Sequence, residues 1–254
     1  EVVTARGQIV RASETENADL FWGLRGGGGN FGIVTEFHLR LHPISAEVLV
    51  SQIIYPISDA RKALAAYRDV TAKLPVETTC YAFFIHVPPL PELPSDRHGE
   101  VAIDLVTVHT GDPAEGRALI EPLRQLGTPI LDATDEQPFS QVQQMFDPGV
   151  PPGLRWYSRG LELDTVNDEA VDAIVGHAAR MPGPYTMVYL MPGGGAIREV
   201  PPDATAYCHR FAAYSFHILA GWSEAAGDEA NMNWTRLFHE AMAPHARSGI
   251  YGIL

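Results

Sequence analysis

A run of glycines near the start of the chain restricts its fold more than any other segment. Residues 25–34 read RGGGGNFGIV, and Gly27, Gly29 and Gly32 fit the pattern G-x-G-x-x-G. Each glycine loses much backbone entropy on folding, so four in succession indicate a turn that needs positive φ angles or close approach by another group. A dinucleotide-binding βαβ unit would place a strand before these glycines and a helix after them.

The segments beside the glycines stand in the opposite order. Upstream, residues 13–25 (SETENADLFWGLR) place Ser13 and Glu16 at capping-box spacing and apolar residues at helical intervals, which predicts a short helix. Downstream, residues 33–43 (IVTEFHLRLHP) alternate with period two, which predicts a half-buried strand closed by Pro43. This order excludes a Rossmann turn. A concave nest of backbone N–H groups for an anion and a tight bend without a ligand both stay open.

Residues 1–43 differ in character from the rest of the chain. They begin with EVVTARGQIV, which predicts a β-hairpin with its turn at Arg6–Gly7. From residue 44 onward, segments with strand and helix patterns alternate, and some strands are joined by links of hairpin length. This pattern favours an α+β fold with a large, mostly antiparallel sheet and helices on one face. We therefore expect two units, 1–43 and 44–254, and both ends resemble cuts through a longer protein.

The composition excludes several classes of function. Lys and Arg total 18 against 31 Asp and Glu, which gives a net charge of −13, and no basic cluster offers a footprint for nucleic acid. No apolar run has the length of a membrane span. Cys80 and Cys208 have neither a disulfide framework nor metal-ligand spacing, so we expect no metal site. A soluble protein, either cytoplasmic or secreted, fits this composition.

Three segments together resemble one family. They read SETENADLFWGLRGGGGNFGIVTEFHLRLHP (13–43), GGGAIREVPPDATAYCHRFAAYSFHILAGW (193–222) and NWTRLFHEAMAPHARSGIY (233–251). They are similar to the FAD-linked oxidases of the vanillyl-alcohol oxidase superfamily, and specifically to the berberine bridge enzyme-like group. The resemblance implies that 1–43 is the last part of an FAD-binding domain and that 44–254 is a substrate-binding domain. The N-terminal half of the FAD domain has no counterpart in the chain.

The resemblance also implies an activity and a cofactor. The expected protein is an FAD-dependent oxidoreductase that oxidises an alcohol, a sugar or a secondary metabolite. A general base removes a proton from the substrate, and the flavin accepts a hydride. The residues that match the family's cofactor contact are Gly27, Gly28, Gly29, Asn30, Phe31, Gly32, Ile33 and Val34.

Four residues are candidates for catalysis: Tyr251, His209, Tyr214 and His217. Tyr251 matches the first Tyr of a family motif Tyr-x-Asn-aromatic, although Ile253 and Leu254 depart from the rest of it. His209 belongs to the family's His-Arg pair. Tyr214 and His217 lie on opposite faces of one predicted strand, and only one face can line a pocket. Ordinary packing is the competing explanation for each of the four.

The expected partners are a small-molecule substrate, a separate chain that supplies the FAD domain, and a second copy of the chain in a homodimer. Nucleic acid and membrane are not expected. One alternative function stays open: a flavin-free small-molecule-binding protein, or a cofactor-independent enzyme, that retains the substrate domain.

Overall fold

The computed structural model describes residues 1–247 of the 254. Within these residues the structure has ten strands: β1 (Val2–Val3), β2 (Ile9–Val10), β3 (Ile33–Val34), β4 (Glu47–Pro56), β5 (Thr78–His86), β6 (Val101–His109), β7 (Leu131–Pro138), β8 (Arg155–Leu163), β9 (Met187–Pro192) and β10 (Tyr214–Trp222). The α-helices of this part are α1 (Ala18–Leu24), α2 (Ala60–Thr71), α3 (Pro113–Arg124), α4 (Phe139–Val142), α5 (Asp168–Ala178), α6 (Ala196–Glu199) and α7 (Asp228–Met242).

Seven of the strands form one sheet in the order β7-β4-β6-β5-β9-β10-β8. Every neighbouring pair in it is antiparallel. The predicted α+β fold with a large antiparallel sheet is therefore confirmed. The remaining strands form a small sheet in the order β2-β1-β3, and the pair β1–β2 is the predicted hairpin.

The main core lies between one face of the large sheet and helices α2, α3, α5 and α7. Alternate residues of each strand point into it, as the two-residue period of a strand requires. From the sheet come Phe84, Leu105 and Phe216, and from the helices come Leu64 and Phe238, all fully buried. Two helix starts are well capped, because the Asp112 and Asn167 side chains accept hydrogen bonds from N–H groups of the first turns of α3 and α5.

The strand predicted over 33–43 is much shorter in the structure. Only Ile33 and Val34 pair with β1, because residues 1–247 supply no strand beside the rest of the segment. Its apolar side chains are consequently exposed instead of half-buried. They form a row that we call the apolar stripe: Ile33 (72% exposed), Phe37 (71%), Leu39 (76%) and Leu41 (89%).

The capping box predicted at Ser13 and Glu16 forms a turn ahead of the helix. The Ser13 hydroxyl accepts from the Glu16 N–H at 3.1 Å, but α1 begins only at Ala18, after Asn17 with φ 49°. The short helix itself is confirmed. Among residues 1–247, no helix combines the length and the apolar character needed to cross a bilayer.

Candidate functional site

The glycine-rich segment folds as a tight turn between α1 and β3. Residues Gly28–Phe31 form one turn of 3-10 helix, and the side chain of Asn30 donates to the carbonyl of Gly27 at 3.1 Å. The segment around this turn contacts residues 203–207, far along the chain. Trp22 Nε1 donates to the Asp203 carbonyl at 2.7 Å, and the Tyr207 N–H donates to the Arg25 carbonyl at 3.2 Å.

Four of the five glycines in this segment are explained by the fold itself. A Cβ at Gly27 would overlap the carbonyl oxygen of Gly23, and Gly28 has φ +72°. Gly26 has φ +119°, and a Cβ there would overlap the backbone nitrogen of Tyr207. Gly32 has φ +142°, and a Cβ there would overlap the carbonyl oxygen of Val3. Both positions combine a left-handed backbone with close approach of a second chain segment, so only glycine fits them without strain.

Gly29 is different, because the described fold gives no reason for it. Its φ is ordinary, and a Cβ there would meet nothing within 4 Å. Gly29, Asn30 and Phe31 are exposed, and so is Ile33. The turn therefore has open space on its outer side, where a bound group could lie against the backbone. The eight predicted cofactor contacts form one continuous segment, and their role stays a prediction.

The large sheet carries a row of polar and aromatic residues on the side opposite the core. His217 pairs with Tyr189, Tyr189 with Phe83, and Phe83 with Asp104, across β10, β9, β5 and β6. We call this side, defined by those four residues, the aromatic face. The rings of His217 and Tyr189 are stacked with centroids 4.7 Å apart, and those of Tyr189 and Phe83 are 5.4 Å apart. The row spans three strand spacings, about 14 Å.

His217 is the basic group of this row. It is 7% exposed, and its Nδ1 is buried without a hydrogen-bond partner. Burial disfavours the charged imidazolium and lowers the pKa of His217 below its ordinary value of 6.5. Gly160 lies beside it on β8, where a Cβ would come to 3.4 Å from Nδ1. His217 is thus a neutral imidazole at pH 7, which is the state that can accept a proton.

Asp104 is the acidic group at the other end of the row. One carboxylate oxygen accepts from Gln52 Nε2 at 2.7 Å, and the other is buried without a partner. Burial raises the pKa of Asp104 from 3.8 to about 7. A carboxyl group that titrates near neutrality can hold or release a proton under ordinary conditions.

A second buried acid lies next to this row. Glu162 accepts a hydrogen bond of 2.6 Å from the hydroxyl of Ser215, which is two residues from His217 on β10. Burial raises the pKa of Glu162, and the hydrogen bond from Ser215 and the proximity of His209 partly offset that effect. His209 itself is 8% exposed, in the loop that precedes β10. Glu162, Ser215 and His217 therefore lie on one side of the sheet, and His209 is near Glu162.

Tyr214 lies on the opposite side of β10, within the core. Its hydroxyl hydrogen-bonds to that of Thr71 on α2 at 2.8 Å, and burial raises its pKa. It lines a cavity of about 420 Å³ together with Arg68 and Arg198. The structure thus separates Tyr214 from His217, and Tyr251 lies outside the described residues. All four catalytic assignments stay predictions.

Sequence reasoning did not single out Phe83, Asp104, Glu162 or Tyr189. One signal for Asp104 was visible, because an acidic residue interrupts the apolar run VAIDLV of β6. The others look like ordinary strand residues until the strand order is known. Among residues 1–247, no group of three or more His, Cys, Asp or Glu side chains is arranged to hold a metal ion.

Known proteins resemble this chain over almost its whole length. No family model matches the chain. An FAD-linked oxidoreductase of Dictyostelium discoideum is 25% identical over 249 residues, which cover 96% of this chain and 52% of that protein. The structure of BBE-like 1 from Physcomitrella patens matches with a TM-score of 0.82 and 19% identity over 98% of this chain and 55% of its own. A chitooligosaccharide oxidase matches with a TM-score of 0.77 and 20% identity over 97% of this chain and 54% of its own.

The matched structures define the fold: the chain has the fold of about half of a berberine bridge enzyme-like protein. The chain's homologues are FAD-linked oxidoreductases, so the resemblance read from the sequence to this group is confirmed. The chain spans about half the length of the curated relatives it matches.

Proposed function

We propose that the chain is the substrate-binding part of an FAD-dependent oxidoreductase that oxidises an alcohol, a sugar or a secondary metabolite. The observation that carries the proposal is the row on the aromatic face. It places a neutral, buried His217 beside stacked rings, and a ring-bearing substrate can lie against such rings. A positioned base next to a stacking surface is the arrangement that proton abstraction from a bound hydroxyl needs.

In this proposal, residues of the aromatic face orient the substrate and accept its proton. Tyr189 stacks against the substrate ring, and the buried Phe83 packs against Tyr189. His217 accepts the hydroxyl proton at Nε2, since Nδ1 is buried against β8. The low pKa of His217 keeps the ring neutral and ready for this step. The flavin, when bound, would accept the hydride that leaves the carbon bearing this hydroxyl group.

The glycine-rich turn is compatible with the FAD contact that the proposal needs. The open space outside Gly29 leaves room for a group that approaches the backbone closely. Gly26, Gly28 and Gly32 have positive φ, and a turn with such residues can present N–H groups to an anionic pyrophosphate. Val34, Phe21, Leu24 and Arg25 are among the residues that line a cavity of about 870 Å³.

The proposal includes a polypeptide partner. The relatives are about twice as long as the chain, and the apolar stripe is exposed at the edge of the small sheet. We propose that the other half of the FAD domain covers this stripe, either as part of a longer polypeptide or as a separate chain. An exposed strand edge with an apolar row is a suitable surface for adding a further strand.

Titration with FAD tests the function directly, with quenching of flavin fluorescence and the absorbance spectrum as readouts. We expect saturable binding that Gly29→Leu weakens at least about tenfold, because the leucine fills the open space beside the turn without touching the fold. Gly183→Leu is the matched control, since a Cβ there also meets nothing within 4 Å.

If the 254-residue chain does not bind FAD, the same titration on the chain co-expressed with the other half of the FAD domain decides the matter. Binding by that complex would support the proposal and assign the site to both halves. Absence of binding there too would overturn it, and a flavin-free small-molecule-binding protein or cofactor-independent enzyme would take its place.

A further inference from the structure

The segment that links β7 to β8 joins the two opposite edges of the large sheet. These strands are the two outermost strands of the seven-stranded sheet, so the connecting residues 139–154 must pass across the whole sheet. The ring of Phe146 packs on Phe83 with centroids 4.9 Å apart. Gly149 lies close to the side chain of Met187 on β9, which is on the same side as Tyr189. The link therefore crosses the aromatic face and not the core side.

The middle of this link, residues 143–150, is here called the strap. Its backbone forms successive local turns, in which the Asp147 N–H donates to the Gln144 carbonyl and the Gly149 N–H donates to the Phe146 carbonyl. Phe146 is the side chain that joins the strap to the central strand β5. Phe83 beneath it is 8% exposed, whereas Phe146 is 44% exposed. Part of the Phe146 ring is thus free to touch a molecule that lies beside it.

That free surface borders the proposed substrate site. Phe83 contacts both Phe146 and Tyr189, and Tyr189 stacks on His217. A ring placed on Tyr189 next to His217 would extend toward Phe146 as its size increases. One ring would be held by Tyr189 and His217, and a second fused ring would reach the strap.

We propose that Phe146 is a specificity-determining residue, which forms the wall of the substrate site remote from His217 and favours substrates with an extended ring system. The inference rests on the substrate site of the proposed function. It assigns to the strap the selection of substrate size, while proton transfer belongs to His217. Phe146 should therefore affect affinity for large rings more than affinity for small ones.

Calorimetric titration of the 254-residue chain with two neutral probes tests this inference. Phenol has one ring and 2-naphthol has two fused rings. We expect Phe146→Ala to weaken binding of 2-naphthol about fivefold and to change binding of phenol less than about twofold, since an aromatic contact is lost only by the larger probe. Phe146→Leu should give an intermediate value for 2-naphthol. His217→Ala should weaken both probes.

Phe211→Ala is the matched control, because Phe211 is a loop phenylalanine of similar exposure, 47%. It should leave both affinities unchanged, and unchanged circular dichroism and melting temperature will show that each variant folds. Equal loss of both probes in Phe146→Ala, no loss of either, or no probe binding by the parent chain would each overturn the inference. Neither probe requires flavin, so the two experiments can fail separately. If FAD does not bind but Phe146→Ala still weakens 2-naphthol selectively, the oxidase function is rejected and the role of Phe146 in the binding site is retained.

Discussion

His217 and Asp104 stand at the two ends of one row, and burial moves their pKa values in opposite directions. Removal from water disfavours the charged form of both groups, which is the imidazolium for His217 and the carboxylate for Asp104. Both side chains are therefore biased toward the neutral state near pH 7. A neutral base and an acid that is about half protonated at pH 7 suit an uncharged substrate better than an ionic one.

The lowered pKa of His217 predicts how stability depends on pH on the acid side. Below pH 6.5 the unfolded chain binds a proton at this residue, while the folded chain does not until the pH reaches its lower pKa. The contribution of His217 to the free energy of unfolding is therefore fully present above about pH 6.5 and decreases as the pH falls below that value. We expect the stability of His217→Gln to decrease less than that of the parent between pH 7.5 and pH 5.5. The difference between the urea midpoints at these two pH values measures the decrease.

His177 and His239 also have lowered pKa values because of burial. They contribute equally to parent and variant, so they cancel in the comparison. Identical acid-side losses in the two proteins would show that His217 titrates in the folded state as it does in the unfolded chain.

The raised pKa of Asp104 predicts the opposite dependence. Between pH 3.8 and about 7 the folded chain holds a proton that the unfolded chain has released, so stability is lost as the pH rises through this window. Asp104→Asn removes the penalty of a buried carboxylate. We expect the variant to gain, relative to the parent, on the order of 2 kcal/mol in free energy of unfolding between pH 5 and pH 8.

The comparison of two pH values within each protein removes any fixed cost of the new amide next to Gln52. Urea denaturation at pH 5 and pH 8 measures both changes. A parent chain whose stability rises between these pH values as much as that of the variant would contradict the assignment of Asp104.

At the scale of elements, the sequence predicted most strands and helices but not their neighbours. Residues 47–56 (EVLVSQIIYP) form one strand, and their β-branched and aromatic residues and the closing Pro56 are local signals for it. The segment 33–43 was predicted too long, since a strand also needs a partner that local pattern does not show. The row from His217 to Asp104 depends on pairing between strands more than 100 residues apart, and only the folded sheet reveals it.

The glycine-rich turn gives a prediction that separates structural from functional glycines. Gly26→Ala should destabilise the chain by about 2 kcal/mol, because it places a Cβ against the backbone of Tyr207 at a left-handed φ. Gly29→Ala should leave stability within about 0.5 kcal/mol of the parent, since its Cβ enters open space. Thermal unfolding measures both.

Equal effects of these two substitutions would mean that the turn is not held against residues 203–207 as the structure shows. If the prediction holds, Gly29 is required for something other than the fold of residues 1–247. That requirement is what the FAD titration with Gly29→Leu examines.

At the scale of the whole molecule, the apolar surface is not distributed evenly. The apolar stripe gathers Ile33, Phe37, Leu39 and Leu41 in one short segment, each more than two thirds exposed. By contrast, Ile197 on α6, Leu237 on α7 and Leu90 in the loop after β5 are exposed in separate parts of the chain. A contiguous apolar patch marks an interaction surface, whereas scattered apolar residues are normal on any protein.

This difference predicts the outcome of two triple substitutions. Phe37→Ser, Leu39→Ser and Leu41→Ser together should sharply lower the fluorescence of the apolar dye 8-anilinonaphthalene-1-sulfonate bound to the chain, because the dye needs a contiguous apolar surface. They should also reduce self-association in sedimentation velocity, and the melting temperature should change little, since exposed side chains contribute little to stability.

The matched control replaces Leu90, Ile197 and Leu237 with Ser and removes a similar number of apolar side chains from scattered places. It should leave dye binding and sedimentation close to those of the parent. A control that lowers dye binding as much as the stripe variant would show that the stripe is no special surface, and would remove the support that it gives to a covering FAD-domain half. A stripe variant that loses self-association but still assembles with that half would instead assign the stripe to a homodimer.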